Sequence, residues 1–183
     1  MRSYLLGAWN LFDPIYYNFT RLTYIDTETP EENILRVRLT RYKGRNVILS
    51  DGTQINKNDT LVKIHLHNVR LLTEMQHIKN DIKRGRFIYQ SIRKSLPSLV
   101  SYIQNHHKSD EIKGIIGITM LDRGANRLGF EVVPIASPFY KWFKWASLLP
   151  INFLSATSLK CISKQSGPNY LFMSKTRLTS MYK

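Results

Sequence analysis

Apolar positions along the chain change period several times, and each change marks an element. Leu5, Ala8, Trp9, Phe12, Tyr16 and Phe19 recur at three- and four-residue steps. That spacing predicts an amphipathic N-terminal helix within residues 1–25, kinked or restarted at Pro14, which lacks a backbone donor. An acidic connection with Pro30 follows, and then the period drops to two. In Ile34-Leu35-Arg36-Val37-Arg38-Leu39 apolar and basic residues alternate, as on a half-buried strand. Lys43-Gly44 and Asp51-Gly52 read as tight turns around a short Val47-Ile48-Leu49 strand. In 61–68 Val62, Ile64 and Leu66 face one way, and Lys63, His65 and His67 the other.

From Met75 the helical period returns. Met75, Ile78, Ile82, Gly85, Tyr89, Ile92, Leu96, Leu99 and Ile103 make a stripe that predicts a long amphipathic helix or a helix pair. Pro97 should bend it or open its second part, and Gly85 within the stripe should allow close backbone approach. The run Gly114–Met120 suits a central strand buried on both faces. Residues 128–135 form its expected neighbour, joined to it through a hairpin-like connection at 122–126. Tyr170–Met173 is a last short strand. These elements sum to one α+β domain over 1–183, with a mostly antiparallel sheet, a long helix packed on it and an N-terminal helix.

Length agrees with one domain. For 183 residues and 21.4 kDa, size scaling gives about 9,000 Å² of folded surface against about 31,000 Å² unfolded, so roughly 70% is buried. Composition adds a strong charge. Lys and Arg number 27 against 13 Asp and Glu, a net +14 with an isoelectric point near 10.0. Such a chain attracts polyanions: a membrane surface, an envelope polymer or nucleic acid. The excess is uneven. Residues 1–33 hold only Arg2 and Arg21 against five acids, whereas no acidic residue follows Glu131. In that basic, aromatic C-terminal region, 136–183, Trp142, Phe143 and Trp145 interleave with Lys141 and Lys144. Trp beside Lys suits the headgroup level of a bilayer, or stacking on sugars or bases; an anchor buried against the sheet is the structural alternative. The basic residues between Lys79 and Lys94 do not share one helix face, which argues against groove binding. No secretory signal and no apolar run of about 18 residues is present, which points to the cytosol, with membrane contact only at the periphery.

Chemistry is sparse. One cysteine, Cys161, rules out an internal disulfide and a Cys-cluster metal site. His65 and His67, two apart on a strand, could reach one ion but lack a third ligand nearby in sequence, so no metal or other cofactor is expected. The segment Thr119–Glu131 gathers Thr119, Asp122, Arg123, Arg127 and Glu131 around one strand pair. If buried, Glu131 would need a partner such as Arg123 or Arg127, most simply in an ion pair fixing the hairpin. Were His65 to face the same cluster, His65, Arg123 and Glu131 would be candidates for acid–base catalysis. No phosphate-cradling Gly loop, GxSxG, HExxH or CxxC occurs, and no nucleic-acid-binding motif, so nucleic-acid binding would rest on charge alone.

Asp51-Gly52, Asp59, Ile64-His65-Leu66-His67-Asn68, Gly117-Ile118-Thr119, Arg123-Gly124-Ala125, Arg127 to Glu131 and Tyr170 to Ser174 together resemble the YkoP-like family of bacilli over nearly the whole chain. Similar domains are appended to polysaccharide deacetylases of the bacterial envelope. The resemblance implies a bacterial, envelope-linked setting and brings no activity with it. It marks His65, Asn68, Arg123, Arg127 and Glu131 for testing. The leading expectation is a non-enzymatic accessory domain for an anionic envelope component or membrane surface, with Asn68, Thr119, Arg127, Lys141, Trp142, Lys144 and Trp145 as ligand-binding candidates. A small enzyme built on His65, Arg123 and Glu131 is the alternative, and charge-driven nucleic-acid binding the next.

Overall fold

The computed structural model describes residues 22–25, 33–120, 124–155 and 167–183, with 147–155 as backbone. The strands are β1 (Thr23–Tyr24), β2 (Leu35–Arg41), β3 (Val47–Ile48), β4 (Gln54–Ile55), β5 (Thr60–Leu66), β6 (Ile112–Thr119), β7 (Glu131–Pro134) and β8 (Asn169–Ser174). Four helices are described: α1 (Asn68–Glu74), α2 (Asp81–Asn105), α3 (Pro138–Ser155) and α4 (Lys175–Tyr182). Six strands make one sheet in the order β1-β2-β5-β6-β8-β7, and β3 pairs with β4 in a separate hairpin.

That sheet is mixed, not the mostly antiparallel one expected. Its central pair, β5–β6, runs parallel, with antiparallel pairs on either side. The cause is the connection: between β5 and β6 the chain crosses over through α1 and α2, and a helical crossover returns it to the same end of the sheet. A second correction concerns β7. It pairs with β8, not β6, because β8, arriving some 35 residues later, takes the place beside β6.

Alternation along the strands divides the sheet into two faces. On the first, Leu35, Val37, Val62, Ile115 and Met173 pack against Leu96, Leu99, Val100 and Ile103 of α2 and Leu178 of α4. On the second, Leu61, Ile116 and Phe172 pack with Tyr42, Leu49 and Ile55 around the β3–β4 hairpin. Backbones of neighbouring strands come close at Gly114, where a Cβ would collide with the Met173 carbonyl oxygen across the β6–β8 ladder.

The stripe from Met75, expected as a long helix or a helix pair, falls on the single long helix α2 and the turn before it; α1 precedes it and was not expected. Met75 ends α1 and packs with Ile34, Leu71 and Leu72. α2 then starts at Asn80, whose side chain accepts hydrogen bonds from the Ile82 and Lys83 amides at 2.9 and 3.1 Å. It continues through Pro97. Its first turns lie outside the core: Ile82 is exposed, and Gly85, expected to allow close approach, has nothing within 4 Å of a built Cβ. The expected N-terminal helix falls on residues 1–21, outside the described residues, and at 23–24 the chain is the edge strand β1.

Candidate functional site

Two strands, each with basic residues at every second position, lie side by side. The β2–β5 register sets Arg36 opposite His65 and Arg38 opposite Lys63. Their apolar alternates, Val37, Leu39, Val62 and Ile64, belong to the α2 side, so all four basic side chains emerge on the other face. Helix α3 adds Lys144 to the same patch. Tyr140, one turn earlier, stacks on Tyr170 of β8 with ring centroids 6.5 Å apart, and its hydroxyl is hydrogen-bonded to that of Tyr170. Lys144 Nζ lies 5.4 Å from the Tyr140 ring centroid. Tyr140 is therefore the ring that anchors α3 to the sheet.

Electrostatics follow from this crowding. Burial, reinforced by Lys63, Arg38, Lys144 and Arg36, pushes the His65 imidazole down to about 3, so it is neutral near pH 7. Its Nε2 is buried without a hydrogen-bond partner among the described residues. Burial, then Lys144 and Arg38, brings the Lys63 ammonium down to about 8. Lys144 is lowered by burial and by Arg38. Arg36, buried in the sheet, donates from Nη2 to the Tyr24 hydroxyl at 2.6 Å, with its guanidinium carbon 4.9 Å from the Tyr24 ring centroid.

Glu131 sits elsewhere. It begins β7, opposite Phe172 of β8. The Ser50 amide donates to both its carboxylate oxygens at 2.9 and 3.0 Å, and the Ser50 hydroxyl donates at 2.7 Å. Arg177 Nη1 donates to the Ser50 hydroxyl at 2.9 Å and lies 3.5 Å from Glu131 Oε1. Next to it, the Ser174 hydroxyl caps α4 by accepting the Arg177 amide and donates to the Asp51 carboxylate. Burial raises the Asp51 carboxyl, but its bonds from Ser174 and Thr53 and the nearby Arg177 prevail and hold it below its ordinary value. This network pins the loop after β3 to the junction of β8 and α4. The expected ion pair thus exists, but with Arg177 as partner, and it holds a different loop. Arg127 is exposed, and Arg123 lies outside the described residues.

Between the strands of His65 and Glu131 there are three inter-strand steps, β5-β6-β8-β7, or about 14 Å at 4.8 Å per step. The two are not within hydrogen-bond reach of each other. His67, at the start of α1, meets the Tyr24 ring edge-on at 5.9 Å. Among the described residues no third His, Cys, Asp or Glu joins a pair to make a metal site. Asn68 opens α1, half-buried. Thr119 ends β6 opposite Asn169, on the α2 face by alternation. Sequence reasoning passed over Arg36, Arg38, Lys63, Tyr140 and Tyr170. The usable signal was the basic parity shared by two strands, which acquires meaning only once they are paired.

Helix α3 also carries the remaining candidates. Phe139, Trp142, Phe143 and Trp145 are 77%, 63%, 52% and 41% exposed, and Lys141 and Lys144 are half-buried beside them. The Trp rings are thus on the surface. No helix among the described residues is long and apolar enough to cross a membrane.

A search among known proteins agrees over the whole chain. The YkoP domain family matches residues 2–182. A protein of Bacillus subtilis (strain 168) described as "Uncharacterized protein YkoP" is 50% identical over 184 residues, covering 100% of this chain and 98% of that one. No solved structure matches. With a match of this extent and identity, the chain belongs to the YkoP family.

Proposed function

We propose that this protein is a non-enzymatic module that docks on an anionic lipid surface through α3. The observation that carries the reading is the exposed stripe of Phe139, Trp142 and Phe143, at helical spacing, with Trp145 beside it. Four large aromatic side chains on one 18-residue helix form a largely exposed apolar face. Lys141 stands next to these rings. A helix so built lies in the headgroup plane with its rings among the acyl chains and the Lys141 ammonium on a lipid phosphate. Each basic residue near an anionic surface adds about 1 kcal/mol at physiological salt. The net charge of +14 and the absence of acids after Glu131 favour the same approach.

Co-sedimentation with vesicles of phosphatidylglycerol and of phosphatidylcholine, at low and moderate salt, tests this. Binding to the anionic vesicles should exceed binding to the neutral ones at least tenfold, weaken with salt, and shift Trp emission to the blue. Trp142→Glu with Phe143→Glu should abolish it. Equal absence of binding to both vesicle types would overturn the reading. A mixed-sequence DNA duplex in parallel checks the charge-driven alternative, whose affinity would fall steeply with log salt.

A further inference from the structure

Arg36, His65, Arg38 and Lys63 form a two-by-two array on the second face of the sheet, with the Cβ atoms of directly opposite residues about 5 Å apart. Lys144 comes from α3, close enough to act on His65 and Lys63. Strand pairing by itself does not ask for this arrangement. Like charges directly opposite each other oppose pairing, and half-buried ammonium groups lose hydration. Leucine at 63 or 65 would serve the strand better. Where a sequence departs from local rules so consistently, a function is the usual reason.

The array also carries the donors of an anion site. Lys63 and Lys144 supply point charges from two different elements, and Arg38 supplies a planar fork suited to paired oxygens. His65 Nε2 is buried, lies near this group of cations, and has no hydrogen-bond partner among the described residues. Such an atom is costly to leave unmade and gains from any ligand able to share a proton with it. Tyr140 and Tyr170 stand alongside and hold α3 in place over the sheet. Several donors converging on so small an area match an anion with three or more acceptor oxygens and at least two negative charges.

We infer that Lys63, Lys144, Arg38 and His65 form a binding site for a phosphate monoester or diphosphate group. The group could arrive on a lipid headgroup beneath α3 or on a free compound; the chemistry of recognition is the same. The site does not depend on α3 docking at a bilayer, because its donors lie on β2, β5 and the sheet-facing side of α3.

Calorimetric titration of the full chain in chloride buffer with pyrophosphate, and with glycerol phosphate as a soluble monoester, gives the direct readout. Both should bind, pyrophosphate more tightly. Lys63→Gln and Lys144→Gln should each weaken binding by at least about tenfold, the loss of one charge-assisted contact. Arg86→Gln, which removes an equal charge from the exposed side of α2, should leave it unchanged. Circular dichroism checks each fold, and if Lys63→Gln fails to fold, Lys144→Gln decides alone. Vesicles separate the sources. Tighter binding to phosphatidic acid than to phosphatidylglycerol, lost in Lys144→Gln, assigns the site to a lipid headgroup; pyrophosphate binding with no such preference assigns it to a free phosphate compound. No heat with either soluble phosphate, or affinities untouched by Lys144→Gln, overturns the inference. Neither result bears on the aromatic face, which the phosphatidylglycerol experiment tests separately.

Discussion

Arg38 and Lys63 stand directly opposite each other across the β2–β5 ladder, two cations on one face of a sheet whose other face is core. The pairing makes β5 less stable than its apolar content would allow. Lys63→Leu should therefore raise the melting temperature in low-salt chloride buffer by about 2–4 °C for each kcal/mol gained. Because the folded Lys63 titrates at about 8 and an unfolded lysine near 10.5, the cost of burying its charge is fully present below pH 8. The gain should shrink as pH rises from 8 to 10.5. A variant that melts below the wild type at pH 7 would sink this account.

His65 predicts an acid sensitivity of defined sign. An unfolded histidine takes up its proton near 6.5, whereas the folded one, facing Lys63, Arg38, Lys144 and Arg36, does so only at about 3. Between those values the unfolded state holds more protons, so stability falls as pH drops through the window. Carboxylates titrate in its lower part, so the diagnostic is a difference. Wild type minus His65→Gln, followed by urea unfolding from pH 7 to 4, should decline steadily toward acid. A flat difference would mean that His65 is protonated normally in the folded state.

The Glu131–Ser50 bonds tie the loop after β3 to the sheet. Glu131→Ala removes three donor contacts to a half-buried carboxylate and should cost about 1.5–3 kcal/mol. Arg177→Ala, losing a half-exposed contact at 3.5 Å, should cost about 0.5–1 kcal/mol. Amide exchange at Ser50 reports on the same bond. If Glu131→Ala leaves that amide as protected as before, the network does not hold the loop.

Two glycines should respond to alanine with opposite signs. Gly129 has φ +87°, and a Cβ there would come within 2.6 Å of Met181 Sδ. Gly129→Ala should destabilise by at least about 1 kcal/mol. Gly85, exposed in α2 with open space around it, should gain about 0.5–1 kcal/mol on Gly85→Ala. Denaturant midpoints for both variants settle the comparison in one experiment.

Periodicity made the elements legible. The β2 and β5 alternations, the apolar run of β6 and the last strand near Tyr170 all stand where the sequence places them, because alternation and burial are local properties of a strand. The family, too, was legible in its motifs. Glu131 shows the limit: the sequence says that a carboxylate in an apolar strand needs a partner, but Arg177 lies 46 residues away, and no local pattern selects it over nearer arginines. The same holds for α2, whose apolar stripe reads correctly from Leu96 to Ile103, which join the core against the sheet, and fails at Ile82 and Gly85, which are exposed.

Sequence alone thus determined that this is one strongly basic α+β chain with an aromatic, acid-free C-terminal region, since charge and period are summed residue by residue. Tertiary structure decided which charges meet. Strand register set Arg36 and Arg38 against His65 and Lys63, the α1–α2 crossover made the central pair parallel, and stacking of Tyr140 on Tyr170 brought Lys144 over the patch while leaving Phe139, Trp142 and Phe143 outside. Those outcomes depend on contacts between residues far apart in the chain, and the free energy of such contacts belongs to the packed pair, not to either residue.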